Sequence, residues 1–257
     1  INISIIAPDP ITGNTYDYDK THLTKTEAYS VFGSMTIDLT DQLELSGGVR
    51  YTDEKKTQTI SIPYVHAFLG PGPAFVGSGF FSGPIPFSDS NWSPEATLKY
   101  QATPDLNIFA SFKTGFKSGG VENNLLPTGT VVPGLVSADP AVREAAADAL
   151  RFDSETSLGG EIGFKSRLAN RSVTLNAVAY YYVFDNLQVQ NFDPAIFNFD
   201  TTNAGELTTK GIEVDFAWST PTDGLSFSGG LALLDAEFTD TFFVPASGDD
   251  LEGRRPA

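Results

Sequence analysis

Apolar and polar residues alternate with a period of two in segment after segment, and the segments are joined alternately by short and long connections. From 29 to 39, Tyr29, Val31, Gly33, Met35, Ile37 and Leu39 share one parity, against Ser30, Ser34, Thr36 and Asp38. A two-residue period puts each set on one face of an extended strand. After Thr40-Asp41-Gln42 the pattern resumes with Leu43, Leu45, Gly47, Val49 and Tyr51 against Glu44, Ser46 and Arg50. It returns around 94–100, 106–117, 155–165, 173–183, 212–218 and 225–233, which makes about eight strands of roughly ten residues each.

Connections decide what such strands build. TDQ, TPD, LANR and TPTDG close alternate junctions tightly. The intervening junctions are longer: about 61–90 and 119–152 are long, and 191–203 and 241–253 are of medium length. A soluble sandwich needs no strict alternation of this kind. An up-and-down transmembrane β-barrel has it, with short turns on the periplasmic side and long loops outside. Within 119–152, Asp139 is placed to cap and Pro140 to open a short helix over 140–151. The fold expected is all-β: an antiparallel up-and-down barrel segment of about eight strands.

In a barrel the apolar parity faces lipid and the polar parity faces a hydrated lumen. The stretch NIFASFKTGFKSGG shows both, with Ile108, Ala110 and Phe112 outward and Lys113 and Lys117 inward. The same reading makes Arg50, Glu95, Lys99, Glu161, Lys165, Glu213 and Asp215 lumen-lining. Aromatic residues fall near strand ends, as interfacial girdles require: Trp92 and Phe116 at the upper limit, Tyr100, Trp218 and Phe227 at the lower. The lumenal carboxylates need no catalytic role. Lys99, Lys113 and Lys165 stand on neighbouring strands to pair with them.

Composition excludes several function classes. Net charge is −16, which opposes a phosphate-binding surface, so no nucleic-acid partner is expected. With no cysteine there is no disulfide, thiolate metal site or thiol nucleophile. No apolar run is long enough for a transmembrane helix, and INISIIAPDP has no signal-peptide pattern. YDYDKTHLTKTE lacks the Gly and Glu of a calcium loop, and LGPGPAFVGSGFFSG lacks the Lys-Ser/Thr of a phosphate loop. No enzyme activity, metal or cofactor is expected.

Four pieces together carry a family likeness: LELSGGVRYTDEKK at 43–56, ASFKTGFKSGG at 110–120, NAGELTTKGIEVDF at 203–216 and LSFSGGLALLDAEFTD at 225–240. In that order and spacing the chain resembles the barrel of TonB-dependent outer-membrane receptors over about 26–255. The resemblance implies a 22-stranded barrel in the outer membrane of a Gram-negative bacterium, closed by a plug. It also implies import of a scarce ligand, most commonly a ferric siderophore, driven through TonB. The sequence carries no plug and ends in DDLEGRRPA, so it is expected to be an internal part of that barrel with two open edges. A small self-contained barrel with a structural or adhesive role, and a soluble acidic lectin-like sandwich, are the alternatives. Strand closure and the environment of the apolar face separate them.

The family's ligand contacts lie on plug and loops, so no binding residue carries over from the matched strands. In the loop at 61–90, Phe75, Phe80 and Phe81, with His66, are the candidate ligand-binding residues; loop–loop packing is the competing role for the aromatics. For His22 and His66 an exposed loop position is expected, with haem or metal contact as the alternative.

Overall fold

The computed structural model describes residues 7–70, 76–122, 132–193, 198–242 and 248–256. Eight long strands form one antiparallel meander: β1 (Tyr18–Thr40), β2 (Leu43–Val65), β4 (Ile85–Thr103), β5 (Leu106–Lys117), β8 (Glu155–Leu168), β9 (Val173–Asp185), β12 (Glu206–Ser219) and β13 (Ser226–Phe238). Short strand β3 (Phe80–Phe81) adds to β2, β6 (Gly120–Val121) pairs with β7 (Arg151–Phe152), and β10 (Gln188–Asp193) pairs with β11 (Asn198–Asn203). Among the described residues β1 and β13 do not pair, so the sheet is open at both edges. The self-contained eight-stranded barrel is thereby set aside.

The tight turns are made by their own hydroxyls. Thr40 Oγ1 accepts from the amides of Gln42 and Leu43, and Thr103 Oγ1 accepts from that of Asp105. Thr220 Oγ1 accepts from the Thr222 amide and donates to the Leu225 carbonyl. Side-chain oxygens of this kind replace ladder bonds where the chain reverses. In the turn between β8 and β9 Ala169, Asn170 and Arg171 all take positive φ. That left-handed run lets Ser172 Oγ donate to the Ala169 carbonyl at 2.7 Å.

Continuous registers fix the faces. Tyr29–Leu39, eleven residues with no register shift before Asp38, keep the apolar parity outward. At ~3.3 Å per residue and a tilt of ~40°, that band stands about 25 Å tall, the height of the lipid-facing belt of an outer-membrane barrel. Its outward side chains are exposed: Val31 66%, Ile162 61% and Leu231 63%. The band stops where Glu27 faces Lys55 on β1–β2, and where Lys210 Nζ meets Asp235 Oδ2 at 3.5 Å on β12–β13. Tyr51 and Trp92 pack 4.8 Å apart at its upper limit, and Trp218 stacks on Phe227 at 5.8 Å beside the lower turn.

Strands β1, β2 and β4 continue well past the band. Residues 61–65 and 85–90, expected as loop, belong to β2 and β4, and Trp92 lies inside β4 rather than at its start. In this extension the apolar parity reverses. Ile60 and Ile62 point inward and are at most 1% exposed, while Thr59 and Ser61 take the outward parity. Ile85 and Phe87 on β4 do the same. Val76, Val121, Leu135, Ala147 and Leu150 fold over this inner face and complete a small core. The helix α1 (Pro140–Asp148) sits in that layer, with Asp139 Oδ1 capping the Ala141 amide at 2.9 Å. It ends three residues before the expected 151. Arg151 is already in β7, and its guanidinium folds back on Glu144 and Asp148.

Candidate functional site

The inward face is the polar one. Registers place Glu95, Lys99, Lys113, Glu161, Lys165, Glu213 and Asp215 on it, together with Arg50 and Lys117. Lys113 Nζ reaches both Glu161 oxygens at 3.0 Å, and Tyr182 donates its hydroxyl to Glu161 Oε1 at 2.8 Å. Asn176 Nδ2 donates to Asp215 at 3.1 Å. Of the lysines expected to pair with these carboxylates, Lys113 does so, while Lys99 meets Glu44 at 3.7 Å; Lys117, for which no partner was expected, meets Glu155 at 3.7 Å. Arg50 donates to Ser30 Oγ at 2.7 Å and lies 5.8 Å over the Phe32 ring. Glu44 and Glu155 are the residues directly opposite Lys99 and Lys117 in the ladder, whereas Lys113 passes over Glu95, its opposite number, and reaches diagonally to Glu161.

One aromatic ring packs along this face. Phe109 stands opposite Gly163, where an added Cβ would come within 2.8 Å of the ring. Glycine therefore lets the ring lie along the wall instead of projecting from it. Two shallow concavities of about 580 and 550 Å³ meet at Phe109, Glu161 and Lys165. Mixed charges, amides and hydroxyls line them, which suits a wet surface rather than a sealed pocket.

The loop candidates do not converge. Phe75 lies outside the described residues. Phe80 packs against the buried core, on the face of Ile62, whereas its neighbour Phe81 is 57% exposed on the other parity. His66 is not an exposed loop histidine: it is 1% exposed, because the 7–17 segment folds over it. Its Nδ1 accepts from the Phe68 amide at 3.0 Å, which leaves the ring proton on Nε2. A ring so arranged offers a metal no lone pair. Asp9, also buried, lies 3.9 Å away and accepts from Ala67, Ile11, Thr12 and Tyr64. The Ala67 amide above all holds its carboxyl well below the usual carboxylate range, against the opposing pull of burial. His22 is likewise half-buried rather than free. Among the described residues no three His, Asp or Glu side chains converge as a metal-binding group.

An apolar belt of membrane height, two aromatic girdles and a charged opposite face define the wall of an outer-membrane β-barrel. The chain belongs to the TonB-dependent receptor family: the family model for the TonB-dependent receptor-like β-barrel matches residues 4–257. It is 24% identical over 204 residues to the pesticin receptor of Yersinia enterocolitica, covering 77% of this chain and 24% of that protein. Among solved structures it resembles the ferric yersiniabactin uptake receptor FyuA of Yersinia pestis, with TM-score 0.64 and 21% identity, over 94% of this chain and 30% of that one. The siderophore receptor PiuA of Acinetobacter baumannii matches with TM-score 0.59 and 20% identity, again over 94% and 30%. At that identity the likeness is one of fold. The chain spans about a quarter of the length of the curated relatives it matches. Its family places it in the outer membrane of a Gram-negative bacterium.

Proposed function

We propose that the chain is part of the wall of an import receptor, not an enzyme, that takes up a ferric siderophore with energy delivered by TonB. The observation that carries this is the split of one sheet into a lipid-height apolar face and a charged face, within a chain matched by the receptor-barrel model. On this reading the outward face meets outer-membrane lipid. Arg50, Glu95, Lys99, Lys113, Lys117, Glu161, Lys165, Glu213 and Asp215 line the lumen of the complete barrel. TonB is reached through a plug domain, since the matched family model is that of the barrel alone. The names of the similar proteins, which bind ferric yersiniabactin and other siderophores, support that ligand class.

The connections, 66–84 once the ends of β2 and β4 are set apart, with 119–152, 191–203 and 241–253, then lie on the outer side, where binding groups concentrate. Of the candidate aromatics in the first of them, Phe81 remains open to a ligand, and Phe68 in the same connection is also exposed. The test is uptake of radiolabelled ferric siderophores by cells expressing the full-length protein, with and without an energised inner membrane. Uptake that needs TonB supports the proposal. Assembly into the outer membrane with no uptake of any ferric siderophore by the wild-type protein would overturn it. In the same assay Phe81→Ala should lower capture while heat-modifiability on a gel stays normal. Unchanged capture would move the ligand contact away from this loop.

A further inference from the structure

The end of β1 beyond the apolar band carries a histidine in a bond network with one consistent proton arrangement. Gln58 is 2% exposed, and its Nε2 donates to the backbone carbonyl of Glu122 at 2.7 Å. A carbonyl can only accept, so the orientation of the Gln58 amide is fixed. Its Oε1 accordingly accepts from Thr24 Oγ1 at 3.0 Å. The same Nε2 stands 3.4 Å from His22 Nδ1, so that ring nitrogen must be the unprotonated acceptor. The ring proton then sits on Nε2, which is buried and has no hydrogen-bond partner among the described residues.

Glu122 is the point where three segments join. Its amide donates to the Leu150 carbonyl at 2.7 Å, at the end of the helical layer. Its carboxylate accepts from the Thr201 amide at 2.6 Å, on β11. Its carbonyl is held by Gln58 on β2. Val121 and Leu150, on either side, belong to the small buried core. Whatever disturbs the Gln58 bond therefore loosens the layer that covers the upper inner face.

We propose that His22, Gln58 and Glu122 form an acid-sensitive latch: neutral His22 holds Glu122, and with it the layer of α1 and Leu150, on the β1–β2 extension, and its protonation releases them. A proton on Nδ1 faces the Gln58 amide with a second donor. Relieving that clash by turning the amide over sets its oxygen against the Glu122 carbonyl and breaks that bond, while relieving it without a turn draws the amide away from the ring and strains the bond. The charges facing His22 are Lys20 on its own strand and Glu122 across from it. Burial first, then Lys20, lowers its pKa from 6.5 to about 4, against the opposing attraction of Glu122. Closure is fully supported above about pH 6.5 and weakens as pH falls through that window toward 4. The ring keeps partial contact with water, so screening reduces the expected change in the opening constant to about tenfold.

The test is amide hydrogen exchange in the full-length protein in detergent micelles, from pH 7 to pH 4, corrected for intrinsic rates. The Glu122 and Thr201 amides are the probes, and those of Ala179 and Ile212 in the ladder are the controls. In the wild type, opening at the two probes should rise about tenfold across the window while the controls stay fixed. In His22→Asn the Oδ1 replaces Nδ1 as a non-titrating acceptor, and the pH slope should vanish whatever the level at pH 7. Gln58→Met should open the layer at every pH. A slope that persists in His22→Asn, or a flat wild-type profile, overturns the latch.

Discussion

Strand β2 runs through two surroundings. From Leu43 to Tyr51 its apolar residues are the outward, odd-numbered ones, and Leu45 and Val49 remain 36% and 42% exposed. From Gln58 to Ile62 the buried residues are the even-numbered, inward ones, at most 2% exposed. No register shift with β4 separates the two stretches. The backbone therefore continues unchanged while the identity of the nonpolar side reverses. In the band, lipid lies outside and water inside, so nothing need be buried within the protein. Beyond the band, water lies outside and a layer of returning chain lies inside, so burial follows the ordinary hydrophobic rule. β4 repeats the lesson, with Leu98 outward and Ile85 and Phe87 inward.

The largest test of this contrast is a charge on the lipid side. Leu231→Arg should cost about 2–4 kcal/mol near the midplane, whereas Thr97→Arg, on the wet face, should cost under ~1 kcal/mol. Urea titrations of folding into lipid vesicles read both, and equal losses would erase the distinction. Next comes the capped end. Ile62→Ala opens a cavity in the small core and should cost about 2 kcal/mol of local stability, whereas Ser61→Ala on the opposite parity should cost under ~0.5 kcal/mol. Protection of the α1 layer, residues 132–150, from protease reports that difference, and it should leave folding of the band unchanged. Smaller still is Gly163→Val, whose Cβ would come within 2.5 Å of the Ala177 carbonyl and 2.8 Å of Phe109. Displacing the ring and easing β8 from β9 at the Ala177 carbonyl should cost about 1–2 kcal/mol, read in the same vesicle titration. Least affected is Lys99→Met, which removes a half-exposed pair with Glu44 and should change stability by under ~0.5 kcal/mol.

The band was legible because its information is local. Alternation, hydroxyl-bearing turns and strand-end aromatics each lie within a dozen residues, and together they give strand order, faces and girdles. The capped end was not, although Thr59-Ile60-Ser61-Ile62 alternates as cleanly as any strand. The residues that bury Ile60 and Ile62 are Val121, Leu135 and Leu150, far along the chain. A local pattern shows a face and not what covers it, so this stretch read as loop. The same blindness placed His66 in solvent: the carboxylate beside it is Asp9, brought back by a segment that has no periodicity. In the lumenal network the residue types are legible, and Lys99 meets the residue directly opposite it, Glu44, but the choice of Glu161 over the directly opposed Glu95 by Lys113 depends on side-chain reach rather than on parity.

The central claim is that parity, not hydrophobicity, decides which side chain meets lipid in the band, and adjacent residues on β9 test it most directly. Val178 is apolar but shares the inward face with Gly163 and Glu213, while the smaller Ala179 shares the outward face with Ile162 and Ile212. The chain has no cysteine, so Val178→Cys and Ala179→Cys each carry a single fluorescent label. In vesicles containing a bilayer-embedded quencher, the label at 179 should be strongly quenched and the label at 178 should not. Equal quenching at the two positions, or stronger quenching at 178, would contradict the account.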